Sequence, residues 1–130
     1  MDPEPRFAWN GDSTVAYEVV GDGPVDLVYM PGFINNLEVV WDNPLMARFL
    51  KRLASFSRLI MIDRRGMGLS DRLSPEDLPP IEELVDDINA VLDSVGSERA
   101  VIFGTSDCGA IGSMYAASHP DRSRWKTRSL

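Results

Sequence analysis

The sequence predicts an α/β protein in which helices cover both faces of a mostly parallel sheet. Its later strand segments are short, nearly continuous apolar runs, and they alternate with longer segments of helical periodicity. Strands of that composition are typically buried on both faces, between layers of helices. The 130 residues suffice for one domain with a modest core, and no linker, repeat or low-complexity segment indicates a domain boundary.

Four segments have the composition of strands. Residues 14–20 are rich in β-branched and aromatic side chains and end at a Gly-Asp-Gly-Pro turn. Residues 25–30 and 59–62 are apolar runs that end at Pro-Gly and at Asp63. Residues 99–103 form the last run and end at a glycine, so the final predicted strand leads directly into a turn.

Three helices are expected between and after these strands. Residues 44–54 carry apolar side chains at helical spacing, and Asp42 or Asn43 can cap their first turn. Residues 81–95 form one continuous apolar stripe with acidic side chains off it, and a glycine follows as a stop signal. The last helix is predicted from about residue 107 to residue 118.

The composition argues against several classes of protein. A net charge of −7 argues against a general nucleic-acid binder, and no stretch approaches the ~20 apolar residues that cross a membrane. The N-terminus lacks the basic and apolar regions of a secretory signal. Because there is one cysteine, no intramolecular disulfide is possible, which fits a reducing cytoplasm as the expected location.

The segment VIFGTSDCGA at 101–110 has the pattern of a nucleophile elbow. A short apolar strand runs into a tight turn that carries Ser106, and the turn opens a helix of small residues. Gly104 permits a crowded turn, and the N–H of Asp107 would stabilise an anion at the helix N-terminus. Two alternatives stay open. Ser106 merely caps the helix, or Asp107 is the nucleophile, because the second glycine of the pattern is displaced by one position, past Cys108.

Two further loops follow predicted strands. The segment Pro-Gly-Phe at 31–33 lies where a hydrolase builds the other half of its oxyanion hole, with the Phe33 N–H directed at the developing charge. The alternative is a simple turn. The segment DRRGMGLSD at 63–71 contains Gly-x-Gly but no Gly-Lys-Ser/Thr, so we reject nucleotide binding and expect a structural loop held by Asp63 and Arg64.

The remaining reactive side chains have no catalytic partner in the sequence. About 12 helical residues separate His119 from Ser106, roughly 18 Å at ~1.5 Å per residue, whereas a general base must lie within ~3 Å. Cys108 lacks a basic neighbour and is expected to be a small packing residue. No Cys/His/Asp cluster has metal-ligand spacing, so neither a metal nor a cofactor is predicted.

Three segments together resemble the α/β-hydrolase superfamily in order and spacing: residues 31–33, 63–71 and 104–109. The resemblance extends from about residue 7 to Arg124. It is most similar to the group of hydrolase domains often joined to class III adenylate cyclases, on the segments VYMPGF, WDNP, RLASFSRLI and VGSERA. The resemblance implies Ser106 as the nucleophile position and the Phe33 and Asp107 N–H groups as oxyanion donors. In the family, the acid and the histidine come from loops after later strands.

Two consequences of the resemblance concern the architecture. Residues 1–121 would be the N-terminal part of a truncated α/β-hydrolase domain, and residues 122–130, with four basic and no acidic side chains, a basic tail without predicted structure. Residues 101–103 would then form an exposed sheet edge, at which self-association is possible.

The leading functional hypothesis is therefore an esterase-like serine hydrolase fragment that acts on a small ester or acyl compound. Without the acid and the histidine, the chain by itself is expected to be nearly inactive. The alternative is a non-catalytic ligand-sensing module partnered with a signalling domain such as a cyclase. A third is a self-associating stub. No nucleic-acid or membrane partner is expected.

Overall fold

The computed structural model describes residues 3–30, 36–37, 39–63, 65, 69–70, 79–105 and 108–123. The strands are β1 (Arg6–Asn10), β2 (Ser13–Val20), β3 (Val25–Met30), β4 (Ser57–Ile62) and β5 (Val101–Gly104). The helices are α1 (Pro44–Ala54), α2 (Ile81–Ser94) and α3 (Cys108–Ser118). Short 3₁₀ turns span Val40–Asp42 and Pro120–Arg122.

The five strands form one sheet in the order β1-β2-β4-β3-β5. The pairs β1–β2 and β2–β4 are antiparallel, whereas β3 pairs in parallel with both β4 and β5. Val28 is central to the parallel part, since it lies opposite Ile60 on one side and Ile102 on the other. The predicted α/β architecture with a mostly parallel sheet is confirmed, and its parallel part comprises β4, β3 and β5.

The sheet has a hydrophobic core on each face, because successive strand residues point to opposite sides. Val28, Ile60 and Ile102 pack on the face covered by α2 and α3, while Leu59 and Leu50 pack on the face covered by α1. The prediction of helices on both faces is therefore confirmed.

Strand β1 was not predicted from the sequence. It forms a hairpin with β2 through a turn at Gly11, whose φ of 62° lies in the left-handed region. Only Ala8 of this strand is fully buried, whereas Phe7 and Trp9 are 51% and 68% exposed. Strand β1 lies at the edge of the sheet and lacks the longer apolar run that identified the other strands. The Asn-Gly pair between β1 and β2 is nevertheless a hairpin signal.

Local sequence signals set the helix ends as predicted. Asn43 is the N-cap of α1, with its side-chain oxygen accepting from Leu45 N at 3.0 Å and Met46 N at 3.3 Å. Helix α2 is followed by Gly96, whose φ is 68°. Left-handed glycines of this kind commonly end helices.

Strand β5 is the last strand of the described sheet, and a short stretch of chain lies along its outer side. Ala100 N donates to Arg122 O at 2.9 Å, and Ala100 and Ser123 form an isolated parallel bridge. The first two residues of the predicted basic tail are thus packed against the body. Residues 124–130 lie outside the described residues, and the division at residue 121 stays a prediction.

Candidate active site

The carboxyl ends of β3 and β5 lie side by side. Met30 and Gly104 are register partners, and Thr105 N donates to Met30 O at 3.1 Å. The chain segment that starts at residue 31 therefore leaves the sheet beside the turn that starts at Thr105. In open α/β sheets, ligands bind outside the carboxyl ends of the strands.

The turn after β5 is crowded at Gly104. A Cβ atom there would overlap the carbonyl oxygen of Cys108 and lie 2.8 Å from its carbonyl carbon. Cys108 N in turn donates to Thr105 O at 3.1 Å, and α3 begins at Cys108. Strand β5 thus ends at Gly104 and α3 begins at Cys108, and the close approach of the Cys108 backbone leaves room only for glycine at position 104.

The predicted site residues Ser106, Asp107 and Phe33 lie outside the described residues. The structure describes the positions that flank them, at Thr105 and Cys108 for the turn and at Met30 for the segment after β3. The roles of Ser106, Asp107 and Phe33 therefore stay predictions.

Asp63 binds the backbone of two chain segments, one after β3 and one after β4. It follows β4, is fully buried, and its Oδ2 accepts from Leu37 N at 3.1 Å and from Leu69 N at 3.0 Å. One carboxylate thus ties the chain after residues 31–35 to the loop after β4. The prediction that Asp63 holds a structural loop is confirmed, while Arg64 lies outside the described residues.

A second buried carboxylate, on Glu18, lies close to Asp63. Glu18 is 1% exposed, and its Oε1 accepts from the Trp41 indole N–H at 3.0 Å. Burial raises the pKa of Glu18 from 4.5 to about 7; the Trp41 hydrogen bond opposes this shift, and the charge of Asp63 adds to it. Glu18 was not predicted from the sequence, because its partners Trp41 and Asp63 lie in distant segments.

A buried ion pair fixes the loop after β4 to α2. Arg65 Nη2 lies 2.6 Å from Asp87 Oδ1, and Asn10 Nδ2 donates to the same oxygen at 2.7 Å. Burial raises the pKa of Asp87, although the hydrogen bonds from Asn10 and Arg65 oppose the shift. Arg65 was not predicted either, because Arg64 was expected to hold the loop together with Asp63.

His119 lies at the far end of α3, as predicted. Helix α3 has 11 residues, so it spans roughly 16 Å at ~1.5 Å per residue. His119 stacks on Tyr115 with ring centroids 4.7 Å apart, and its Nε2 lies 2.9 Å from Asn89 Nδ2. Cys108, predicted to be a packing residue, is buried in the core at 1% exposure.

In the described part of the chain, no three His, Cys, Asp or Glu side chains are grouped so that they could hold a metal ion. Of the helices in that part, none has the length and apolar character to cross a bilayer.

A mostly parallel sheet whose last strand leads within a few residues into a helix is typical of several α/β families, and the comparison with known families decides between them. A family model described as the alpha/beta hydrolase fold matches residues 27–124. The chain belongs to this family.

The proteins that follow are hydrolases to which the chain is similar in sequence. The chain is 38% identical to epoxide hydrolase B of Mycobacterium tuberculosis over 65 residues, covering 50% of this chain and 18% of that protein. It is 36% identical to the putative carbamate hydrolase RutD of Caulobacter sp. over 73 residues, covering 56% and 27%. The chain thus spans much less than half the length of these relatives.

Many solved structures match nearly the whole chain, and two of them illustrate the likeness. Est816, an N-acyl homoserine lactone degrading enzyme, superposes with a TM-score of 0.75 at 31% identity, covering 91% of this chain and 42% of that one. Epoxide hydrolase VrEH1 from Vigna radiata superposes with a TM-score of 0.81 at 22% identity, covering 99% and 40%. The second likeness bears on the fold alone.

Proposed function

We propose that this chain supplies the nucleophile and the oxyanion-binding groups of an esterase-like serine hydrolase. Ser106 Oγ attacks the carbonyl carbon of a small ester or acyl compound, and the N–H groups of Phe33 and Asp107 bind the oxyanion. The carrying observation is the hydrogen bond from Thr105 N to Met30 O at 3.1 Å. It joins the two strand ends from which the segments of Ser106 and Phe33 depart.

The substrate class rests on the similar proteins as well as on the turn. A lactone is a cyclic ester, and Est816 is described as degrading one. A serine nucleophile with an oxyanion hole is suited to such a carbonyl group, because its tetrahedral intermediate carries a negative oxygen.

The reaction also needs a general base near Ser106. His119 is the only histidine of the sequence, and it follows the far end of α3. We therefore propose that a residue other than His119 is the base, and that the base and the acid that orients it come from later loops, as the resemblance to the family implies. The chain by itself should turn over esters orders of magnitude more slowly than a chain that includes them.

A second candidate function is epoxide hydrolysis with Asp107 as the nucleophile. It is favoured by the similarity to epoxide hydrolase B, and it uses the alternative alignment of the Gly-x-nucleophile pattern. Against it stands the position of Gly104, where the crowded turn begins. In the Gly-x-Ser-x-Gly pattern the nucleophile is two residues after that glycine, which selects Ser106.

We further propose a cytoplasmic location and a regulatory setting for the protein. The single cysteine favours the cytoplasm, and the resemblance to cyclase-linked hydrolase domains favours a regulatory setting. A small molecule is the proposed ligand in either setting.

The test is a chimera in which residues 1–123 are continued with the part of Est816 that follows the region of similarity. Ser106→Ala should lower p-nitrophenyl acetate hydrolysis and fluorophosphonate labelling by at least about 10³-fold, whereas Asp107→Asn keeps its backbone N–H and most of the activity. Ser113→Ala, on the exposed face of α3, is the matched control.

The opposite pattern supports the second candidate. If Asp107→Asn abolishes turnover of styrene oxide and Ser106→Ala does not, the nucleophile is Asp107. A folded chimera that binds small esters without turnover or labelling contradicts both catalytic proposals and favours a ligand-sensing module.

A further inference from the structure

The buried pair of Arg65 and Asp87 uses only part of its hydrogen-bonding capacity. Their side chains are 7% and 5% exposed, and the single direct contact joins Arg65 Nη2 to Asp87 Oδ1 at 2.6 Å. Among the residues that the structure describes, neither Arg65 Nε nor Asp87 Oδ2 has a hydrogen-bond partner. Burying a donor and an acceptor without partners is costly, so such atoms usually mark an ordered water.

A second ion pair in the same protein shows what is missing. Arg58 donates from Nε to Asp26 Oδ1 at 2.7 Å and from Nη2 to Asp26 Oδ2 at 2.9 Å. This is the two-armed fork that a guanidinium forms with a carboxylate. Nε and Nη2 lie on the same edge of the guanidinium group. In the Arg65–Asp87 pair, the Nη2–Oδ1 hydrogen bond is present. The two unpartnered atoms, Arg65 Nε and Asp87 Oδ2, are therefore the donor and the acceptor of the second hydrogen bond of such a fork.

A small cavity lies at this pair. Arg65 and Asp87 both line it, together with apolar side chains that include Val15, Met30 and Ile111. Its volume is about 10 Å³. That is close to the space that one water molecule requires, and two polar partners are enough to hold a water there.

We propose that one ordered water molecule occupies this cavity, accepts a hydrogen bond from Arg65 Nε and donates one to Asp87 Oδ2. The water completes the second arm of the fork that Arg58 and Asp26 form directly. The hydrated pair ties the loop after β4 to α2. Because Met30 and Ile111 line the cavity, the water lies beneath the end of β3 and the first turns of α3. This inference does not depend on the proposed function.

The direct test is water-selective NOE and ROE spectroscopy on the 15N-labelled 130-residue chain. A long-lived bound water gives NOE and ROE cross-peaks of opposite sign at the Arg65 Hε proton, whereas exchange with bulk water gives the same sign. Arg58 Hε, which is bonded directly to Asp26, is the internal control and should show no such pair of peaks. A protected Arg65 Hε without a water peak, or one that exchanges rapidly with bulk water, would overturn the proposal.

Filling the cavity provides a second readout. Val15→Ile adds one methylene group to a lining residue and should expel the water, so the Arg65 peaks disappear. Val28→Ile, which adds the same group at an equally buried position that does not line the cavity, is the control and should leave the Arg65 peaks in place. Loss of the peaks in both variants, or in neither, would contradict a water in this cavity. If the variant does not fold, the wild-type spectra decide.

Discussion

Replacing Glu18 with glutamine should make the stability of the protein less dependent on pH. The folded state buries this carboxyl group at 1% exposure, and its pKa rises from 4.5 to about 7. Between these two pH values the folded protein binds a proton that the unfolded chain does not bind. The free energy of unfolding therefore falls as the pH rises through this interval, since the raised pKa belongs to the folded state.

The magnitude follows from the pKa difference. The difference between a pKa of about 7 in the folded state and 4.5 in the unfolded chain corresponds to about 3 kcal/mol, most of which is lost between pH 5 and pH 8. Glu18→Gln keeps the side-chain volume and the oxygen that accepts from Trp41, but it does not ionise. Relative to the wild type, the variant should gain about 2–3 kcal/mol over this interval, or roughly 10 °C in the unfolding midpoint.

The assay is urea unfolding at pH 5, 6, 7 and 8, followed by tryptophan fluorescence. Glu98→Gln is the control, because Glu98 is an exposed carboxylate in the loop between α2 and β5. The difference between Glu18→Gln and the wild type should grow with pH, while the difference for Glu98→Gln stays nearly constant. A constant difference for Glu18→Gln would refute the buried, proton-binding carboxyl group.

Two further substitutions test the anchors of the site. Gly104→Ala should lower the free energy of unfolding by about 3 kcal/mol or more, because its Cβ meets the backbone of Cys108; Gly11→Ala, where a Cβ meets nothing within 4 Å, should cost only about 1–2 kcal/mol of left-handed strain. Equal losses in urea unfolding would contradict the crowded turn. Asp63→Ala should cost at least about 2 kcal/mol and accelerate hydrogen exchange at the Leu37 and Leu69 amides, which it leaves without an acceptor. Unchanged exchange at both amides would show that Asp63 does not hold them.

Most regular elements of the fold could be predicted from the sequence, because their signals are local. The apolar stripe of α2, the Asn43 cap of α1 and the short apolar runs each depend on residues within one element. The polar contacts could not be predicted in this way. Glu18 and Trp41 are 23 positions apart, and Arg65 and Asp87 are 22 apart, so no period or motif joins them. Such contacts depend on the order of strands in the sheet.

In the candidate site, the sheet sets the position of some groups and not of others. Residues 31–35 are flanked by Met30, whose carbonyl oxygen accepts from Thr105, and by the segment whose Leu37 N–H donates to Asp63. These anchors are backbone groups and one buried carboxylate, so a side-chain substitution within residues 31–35 leaves the anchoring groups themselves unchanged. His119, the single histidine of the sequence, follows the far end of α3, whose 11 residues span roughly 16 Å at ~1.5 Å per residue. The proposed nucleophile and oxyanion donors therefore depend on the sheet for their position, while the proposed base comes from another part of the protein. Loss of the base should slow the reaction without disturbing the elbow.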